Sequence, residues 1–207
     1  MKRCVVIGGA PIADPARLRS YLRPDDFTIY CDCGLRHMQT LGAPADLIVG
    51  DFDSHAAPRL PVETITLPRE KDDTDTVFAV REALRRGFSD FLLLGVIGGR
   101  LDHTLANVSI LLMLDSLGKP ALAVDDYSEF SVVSREPACV APTFPYFSLL
   151  AIDGPAEGVT IEHAKFPLVN GTVTPDYQFA VSNEPANGDT AWVRVSKGRL
   201  LLVKDRA

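Results

Sequence analysis

The chain has 207 residues, and 21 Lys plus Arg against 27 Asp plus Glu give a formal charge of −6. Its 46% hydrophobic and 23% charged content is that of a globular protein and excludes disorder or a collagen-like repeat. The acidic balance, without a basic run, argues against a general nucleic-acid or anionic-membrane binder, and no apolar stretch reaches the roughly 20 residues of a spanning helix.

Arg3 to Ile7 is an apolar run that breaks at once into Gly8-Gly9, so it reads as a buried first strand rather than a signal peptide. Pro15 to Leu22 reads as helix and Phe27 to Cys31 as a second strand. A short helix through Leu35, Met38 and Leu41 stops at Gly42. Leu47 to Val49 and Glu63 to Leu67 are the next two strands. Val77, Val80, Ala83 and Leu84 share a face of a helix that Gly87 ends. Phe91 to Ile97 is continuously apolar, as in a strand buried on both faces. Leu101 to Leu117 is helical up to Gly118, and Ala121 to Val124 is a sixth strand. This alternation predicts an α/β fold, an open and mostly parallel sheet with helices on both faces.

Near Ser128 the pattern changes. Prolines cluster at Pro137, Pro142, Pro145 and Pro155, and short alternating runs replace helices. Phe147 to Ile152, Val159 to Ile161, Gln178 to Val181, Ala191 to Val195 and Leu200 to Val203 read as strands of a small antiparallel β domain. The expected division is 1–134 and 135–207. Cys4, Cys31, Cys33 and Cys139 form no C-x-x-C pair or zinc-finger spacing, so they read as small packed residues of a cytoplasmic protein.

The aspartates carry the functional signal. Asp32 follows the second strand, Asp51 and Asp53 the third, and Asp102 the fifth, while Asp72, Asp73 and Asp75 precede a helix after the fourth. In an open parallel sheet all these positions reach the carboxyl edge, where ligands bind. Carboxylates gathered there repel one another unless a cation sits among them, and hard oxygen ligands suit Mg²⁺ with substrate phosphates. Asp51 and Asp53, two residues apart, share a side if the chain stays extended. Asp72 to Asp75 reads equally as an ordinary helix cap. Gly98-Gly99-Arg100-Leu101-Asp102-His103 combines free backbone amides, an arginine able to clamp phosphate and a carboxylate. No Walker loop, dinucleotide fingerprint or serine-hydrolase elbow is present.

Asp32 with Gly34, Asp46 to Ser54, Lys71 to Asp75, and Gly98 to His103 together resemble the ordered motifs of the thiamine pyrophosphokinase family. The similarity continues through Gly158 to Thr160, Lys165 to Leu168 and Ser182 to Glu184. The resemblance implies an α/β catalytic domain, a thiamine-binding β-sandwich, and a homodimer with active sites near the subunit interface. It implies transfer of pyrophosphate from ATP to the hydroxyl of thiamine, giving thiamine diphosphate and AMP. Carried over by position, Asp51, Asp53 and Asp75 would hold Mg²⁺, and Lys71 and Arg100 would contact the triphosphate. Asp102 would join the catalytic shell; Asp32, Thr74, Gly98 and Gly99 would line the nucleotide. Thr160, Ser182 and Asn183 would recognise thiamine.

The chain departs from the family's pattern at Cys33, Leu35 and Arg36, where A-D-G-G-A-N is common, and at His163-Ala164. Alternatives stay open from the residues alone. Asp51-Phe52-Asp53 with Asp125-Asp126 would also suit a phosphatase of the haloacid-dehalogenase type forming an aspartyl-phosphate. A pyrophosphokinase for another alcohol, such as a pterin, and a non-catalytic thiamine or nucleotide sensor are the others.

Overall fold

The computed structural model describes residues 2–53, 60–70 and 72–206. The chain divides into two compact units, Met1–Asp126 and Tyr127–Ala207.

In the first unit six strands, β1 (Arg3–Ile7), β2 (Phe27–Cys31), β3 (Leu47–Gly50), β4 (Glu63–Thr66), β5 (Asp90–Leu94) and β6 (Ala121–Val124), lie in the order β4-β3-β2-β1-β5-β6. Every pairing among them is parallel. Among the described residues four α-helices intervene: α1 (Pro15–Arg19), α2 (Met38–Leu41), α3 (Asp75–Arg85) and α4 (Leu101–Ser116). Alternate strand residues explain the layering, because successive side chains leave opposite faces of a sheet. Val5, Ile7, Tyr30, Leu92, Leu94 and Val124 pack with Leu18 of α1 and Leu41 of α2. Cys4, Val6, Ile29 and Leu93, equally buried, alternate with that set and so leave the opposite face, where α3 and α4 bury Ala79, Val80, Ala83, Ile110, Leu111 and Leu114. The strand order reverses between β1 and β5, which makes their carboxyl ends the switch point of the sheet.

Differences from the expected boundaries have local causes. The first helix stops at Arg19, five residues long, because Ser20 turns back onto Arg17 and Leu18. The strand expected to run to Ile97 ends at Leu94, where Gly95 enters the left-handed region at φ 58°. The helix expected through Leu35 begins instead as a 3-10 stretch over Asp32–His37 before α2.

The second unit is a sandwich. β7 (Ser128–Val133), β13 (Leu200–Asp205) and β9 (Tyr146–Leu150) pair antiparallel in one layer. β11 (Leu168–Val173), β10 (Ala156–Glu162), β12 (Ala191–Arg194) and β8 (Ala138–Val140) form the other. Inward residues of both, among them Val133, Phe147, Leu149, Leu200 and Leu202 against Val140, Val159, Ile161, Val173 and Val193, make a single apolar cluster. The strand expected over Gln178 to Val181 does not form. The Gln178 side chain accepts from the Ala151 amide at 3.1 Å and donates to the Ala151 carbonyl at 2.7 Å, and so does the work of a ladder residue.

Helix α3, which carries Asp75, is anchored at its other end by an ion-pair network. Glu82, 7% exposed, accepts from Arg85 and Arg86 at 2.7 Å, and Arg86 also binds Glu63 of β4. The hydrogen bonds from Arg85, then those from Arg86, hold the Glu82 carboxyl down from 4.5 to about 2. A depressed carboxyl stabilises the fold above its unfolded value and loses that contribution as pH falls toward its folded value. Glu82→Gln is therefore expected to cost about 2 kcal/mol at pH 7, after discounting for the exposed Arg85. The gap from the unmutated chain in urea titrations should close as pH drops from about 4.5 toward 2.

Candidate active site

Three carboxylates from three separate connections meet at the carboxyl edge of the parallel sheet. Asp32 opens the 3-10 stretch after β2, Asp51 follows β3, and Asp75 begins α3. Their ligand atoms lie within 4.8 Å of one another and all three residues are half-buried, the one such acidic group among the described residues. Close backbone approaches bring them together. A Cβ on Gly34 would stand 2.4 Å from the Ile7 carbonyl oxygen, and one on Gly50 3.0 Å from the Asp32 Cα. Neither site has room for a side chain, so the ends of β1, β2 and β3 close up and Asp32 is pressed over β3. Asp32 itself sits at φ 44°, a left-handed conformation that non-glycine residues seldom adopt.

Asp75 is placed by its helix start. The Thr74 hydroxyl caps α3 by accepting from the Val77 amide at 3.3 Å, and a carboxylate in the first turn suits the helix dipole. Beneath it, the buried Cys31 thiol donates to the Asp75 carbonyl at 3.8 Å. Burial pushes Cys31 well above its ordinary value, so it remains a protonated donor. Cys31 read as plain packing in the sequence, and the β-strand pattern carries no sign of this contact.

Asp53 lies outside the group. Phe52 at φ 50° breaks the extended chain that would have put Asp51 and Asp53 on one side. The Asp53 amide instead donates to Asp51 Oδ1 at 3.2 Å, and its carboxylate pairs with Arg69 at 3.4 Å. Asp73 pairs with Arg81. Lys71 and Ser54 lie outside the described residues.

On the turn after β5, Gly98 and Gly99 both take positive φ, 98° and 73°, and Arg100 is the N-terminal cap of α4. The Thr104 hydroxyl accepts from the Gly98 amide at 3.0 Å and donates to the Arg100 carbonyl at 3.1 Å, fixing the turn. Arg100 is paired with Asp102 at 2.5 Å, and both are exposed. The Arg100 hydrogen bond, ahead of the His103 amide and the charges of both residues, lowers the Asp102 carboxyl below the usual range.

In the second unit Asn183 is 3% exposed and its carboxamide is committed to the backbone. It accepts from the Phe166 amide at 3.0 Å and the Glu184 amide at 2.9 Å, and donates to the Phe166 carbonyl at 2.8 Å. It thereby holds Phe166, a residue 58% exposed, at a cavity shared with Ile161, Leu168, Phe179 and Val181. Ser182 is left-handed at φ 54°, and its amide donates to Ser148. The Thr160 hydroxyl accepts from the Asn170 amide at 3.3 Å.

Residues 18–121 match the family model of the thiamin pyrophosphokinase catalytic domain, and residues 132–200 that of its vitamin B1 binding domain. The chain belongs to the thiamin pyrophosphokinase family. It is accordingly an enzyme of the thiamine diphosphokinase class, a transferase of thiamine diphosphate biosynthesis. Solved structures agree on the fold. Thiamine pyrophosphokinase from Bacillus subtilis aligns over 100% of both chains with TM-score 0.85 and 23% identity. That from Geobacillus thermodenitrificans aligns over 100% of this chain and 98% of its own, at 0.83 and 26%. The Candida albicans enzyme aligns over 100% and 89%, at 0.77 and 14%. No curated protein matches the chain. Membership in this family displaces the haloacid-dehalogenase alternative, whose distal acidic pair would have been Asp125-Asp126; the Asp126 carboxylate is taken up by the backbone amides of Ala13 and Asp14.

Three carboxylates offering hard oxygens at this spacing fit a divalent cation of the Mg²⁺ type. Charges 4.8 Å apart repel by between about 1 and about 3 kcal/mol, depending on how far water screens them. Asp51→Asn should therefore raise metal-free stability by about 1 kcal/mol. Mg²⁺ is expected to raise the Tm of the unmutated chain and to leave that of Asp51→Asn unchanged, as read by calorimetry with and without the ion.

Proposed function

We propose that this enzyme transfers the pyrophosphoryl group of ATP to the hydroxyl of thiamine, forming thiamine diphosphate and AMP. The observation that carries the reading is the meeting of Asp32, Asp51 and Asp75 at the sheet edge that also bears the Gly98–Asp102 turn, in a chain whose other unit matches a vitamin B1 binding domain. Asp32, Asp51 and Asp75 hold Mg²⁺ in this reading, and Lys71, on the family's motif, contacts the triphosphate. Bound there, the ion neutralises phosphate charge that would otherwise repel the incoming alcohol.

The protein's own part is positioning and charge neutralisation, as phosphoryl chemistry requires. Arg100 turns from Asp102 to the phosphates, which exchanges one charge-assisted pair for another. Release from Arg100 removes the largest cause that holds the Asp102 carboxyl down, so Asp102 becomes a better acceptor for the thiamine hydroxyl proton. The hydroxyl oxygen bonds to the β-phosphorus, the bond from that phosphorus to the oxygen bridging to the α-phosphate breaks, and AMP departs. In the second unit Phe166 offers an aromatic face to a flat cationic substrate ring, with Ser182 and Thr160 on neighbouring elements and Asn183 acting through Phe166.

The enzyme works as a homodimer. Val169 and Tyr177 are exposed on the second unit, 81% and 68%, and a second copy would cover such apolar surface. We place it in the cytoplasm on its four free cysteines, Cys4, Cys31, Cys33 and Cys139; no helix among the described residues is long and apolar enough to cross a membrane.

Incubation with ATP, Mg²⁺ and thiamine, followed by mass analysis, should yield thiamine diphosphate and AMP in equal amounts. ADP with thiamine monophosphate would refute pyrophosphoryl transfer. Asp102→Asn should lower kcat by about 10² to 10⁴ at unchanged Tm. Light scattering should return twice the chain mass.

A further inference from the structure

The loop between β1 and α1, Gly8 to Asp14, runs along the switch point of the parallel sheet and is tied down from three sides. On the β5 side the Gly8 amide donates to the Leu94 carbonyl at 2.9 Å and the Ala10 amide to the Gly95 carbonyl at 2.8 Å. A Cβ on Gly99 would touch Pro11 at 3.4 Å, so the loop also lies against the phosphate-type turn. On the β2 side two successive residues of the 3-10 stretch grip two successive carbonyls: Arg36 donates to Gly9 and His37 Nε2 to Ala10 at 2.9 Å. Burial, and next to it the Arg36 charge, keeps His37 below the ordinary imidazole range despite the Ala10 bond. The ring is thus neutral at pH 7, and the carbonyl fixes its proton on Nε2. On the β6 side the Asp126 carboxylate accepts from the Ala13 and Asp14 amides, 2.8 Å each, one oxygen apiece.

Cys33 completes the arrangement. Its Sγ stands 2.0 Å from where a Gly9 Cβ would be, so the sulfur fills that space and the loop rests on it. Cys33 and Arg36 are two of the places where this chain leaves the common pattern of its family, and both bear on this loop. Among the described residues the amides of Gly9 and Ile12 have no acceptor, which leaves two donors on a fixed loop for oxygen atoms of a ligand.

We propose that Arg36, His37 and Asp126 are positioning residues of the nucleotide site, clamping the Gly8–Asp14 loop as a rigid wall against which the ATP phosphates are seated. This rests on ATP being the phosphoryl donor. None of the three touches the reacting atoms; they act through the loop, and a wall displaced by about 1 Å is enough to cost about tenfold or more.

Hydrogen exchange and steady-state kinetics on the full chain test it. Mg-ATP should slow exchange of amides between Gly8 and Asp14 in the unmutated enzyme. Asp126→Ala should speed exchange of the Ala13 and Asp14 amides about tenfold and raise KM for ATP about tenfold. KM for thiamine and kcat should stay within about threefold, as removal of ground-state positioning predicts. Asp126→Asn, which keeps one good acceptor oxygen, should fall between. Arg36→Ala, on the opposite side and exposed, should repeat the KM pattern, and decides the matter if Asp126→Ala does not fold. Ile29→Val, a change in the buried core away from the loop, should lower Tm and leave KM for ATP alone. Faster exchange with unchanged KM for ATP, or unchanged exchange in both variants, overturns the proposal. An unmutated chain whose loop is protected by Mg-ATP but which makes no thiamine diphosphate would overturn the proposed reaction and leave the clamp standing.

Discussion

Repulsion among Asp32, Asp51 and Asp75 is the constraint that the first unit is built to withstand. Nothing in a flexible chain would hold three carboxylates within 4.8 Å, so the approach must be imposed by strands that are themselves immovable. β1, β2 and β3 meet that need: Val5, Val6, Ile7, Ile29, Tyr30, Leu47, Ile48 and Val49 are all fully buried. Burial of that kind contributes roughly 1.5 to 3 kcal/mol for each large side chain, more than enough to oppose a few kcal/mol of charge repulsion and the strain of left-handed Asp32 and Phe52. The rigidity of the sheet and the charge density of its edge are one design, since the first makes the second sustainable.

Around that edge the cations are stationed on anions. Arg69 rests on Asp53, Arg81 on Asp73 and Arg100 on Asp102. Exposed pairs of this sort add little to folding. Their arginines are largely exposed, so water screens each pair and little holds it closed. The Glu82 network differs, because its carboxylate is buried and its partners tie α3 to β4. One set of pairs keeps the helix in place and the other stays exchangeable.

Much of the fold was legible in the sequence because it follows from local rules. Strand and helix positions in the first unit came from apolar periodicity and from glycines that end helices, Gly42, Gly87 and Gly118, all of which take positive φ. The second unit is less legible. Ser128–Val133 contains Ser and Glu, which mask a strand pattern, yet it is β7, paired along its whole length with β13. Leu168–Val173 carries Asn170-Gly171, a turn signal, but pairs with β10 across irregular register. Gln178 to Val181 has strand composition and forms none, because a side-chain amide replaced the ladder. In each case a partner distant in sequence overrode the local preference.

By itself the sequence determined the kind of chemistry and its family: acidic residues at the ends of successive strands, a glycine-arginine-aspartate turn, and their order along the chain. These depend on residue type and spacing, which one dimension carries. Only the tertiary structure decided which carboxylates meet, that Asp32 joins Asp51 and Asp75 while Asp53 stands apart with Arg69, and that Asn183 serves Phe166. The physical reason is that a side chain's direction hangs on single backbone dihedrals, such as those of Asp32 and Phe52, and on close backbone contacts between strands far apart in the chain. Neither leaves a periodic trace.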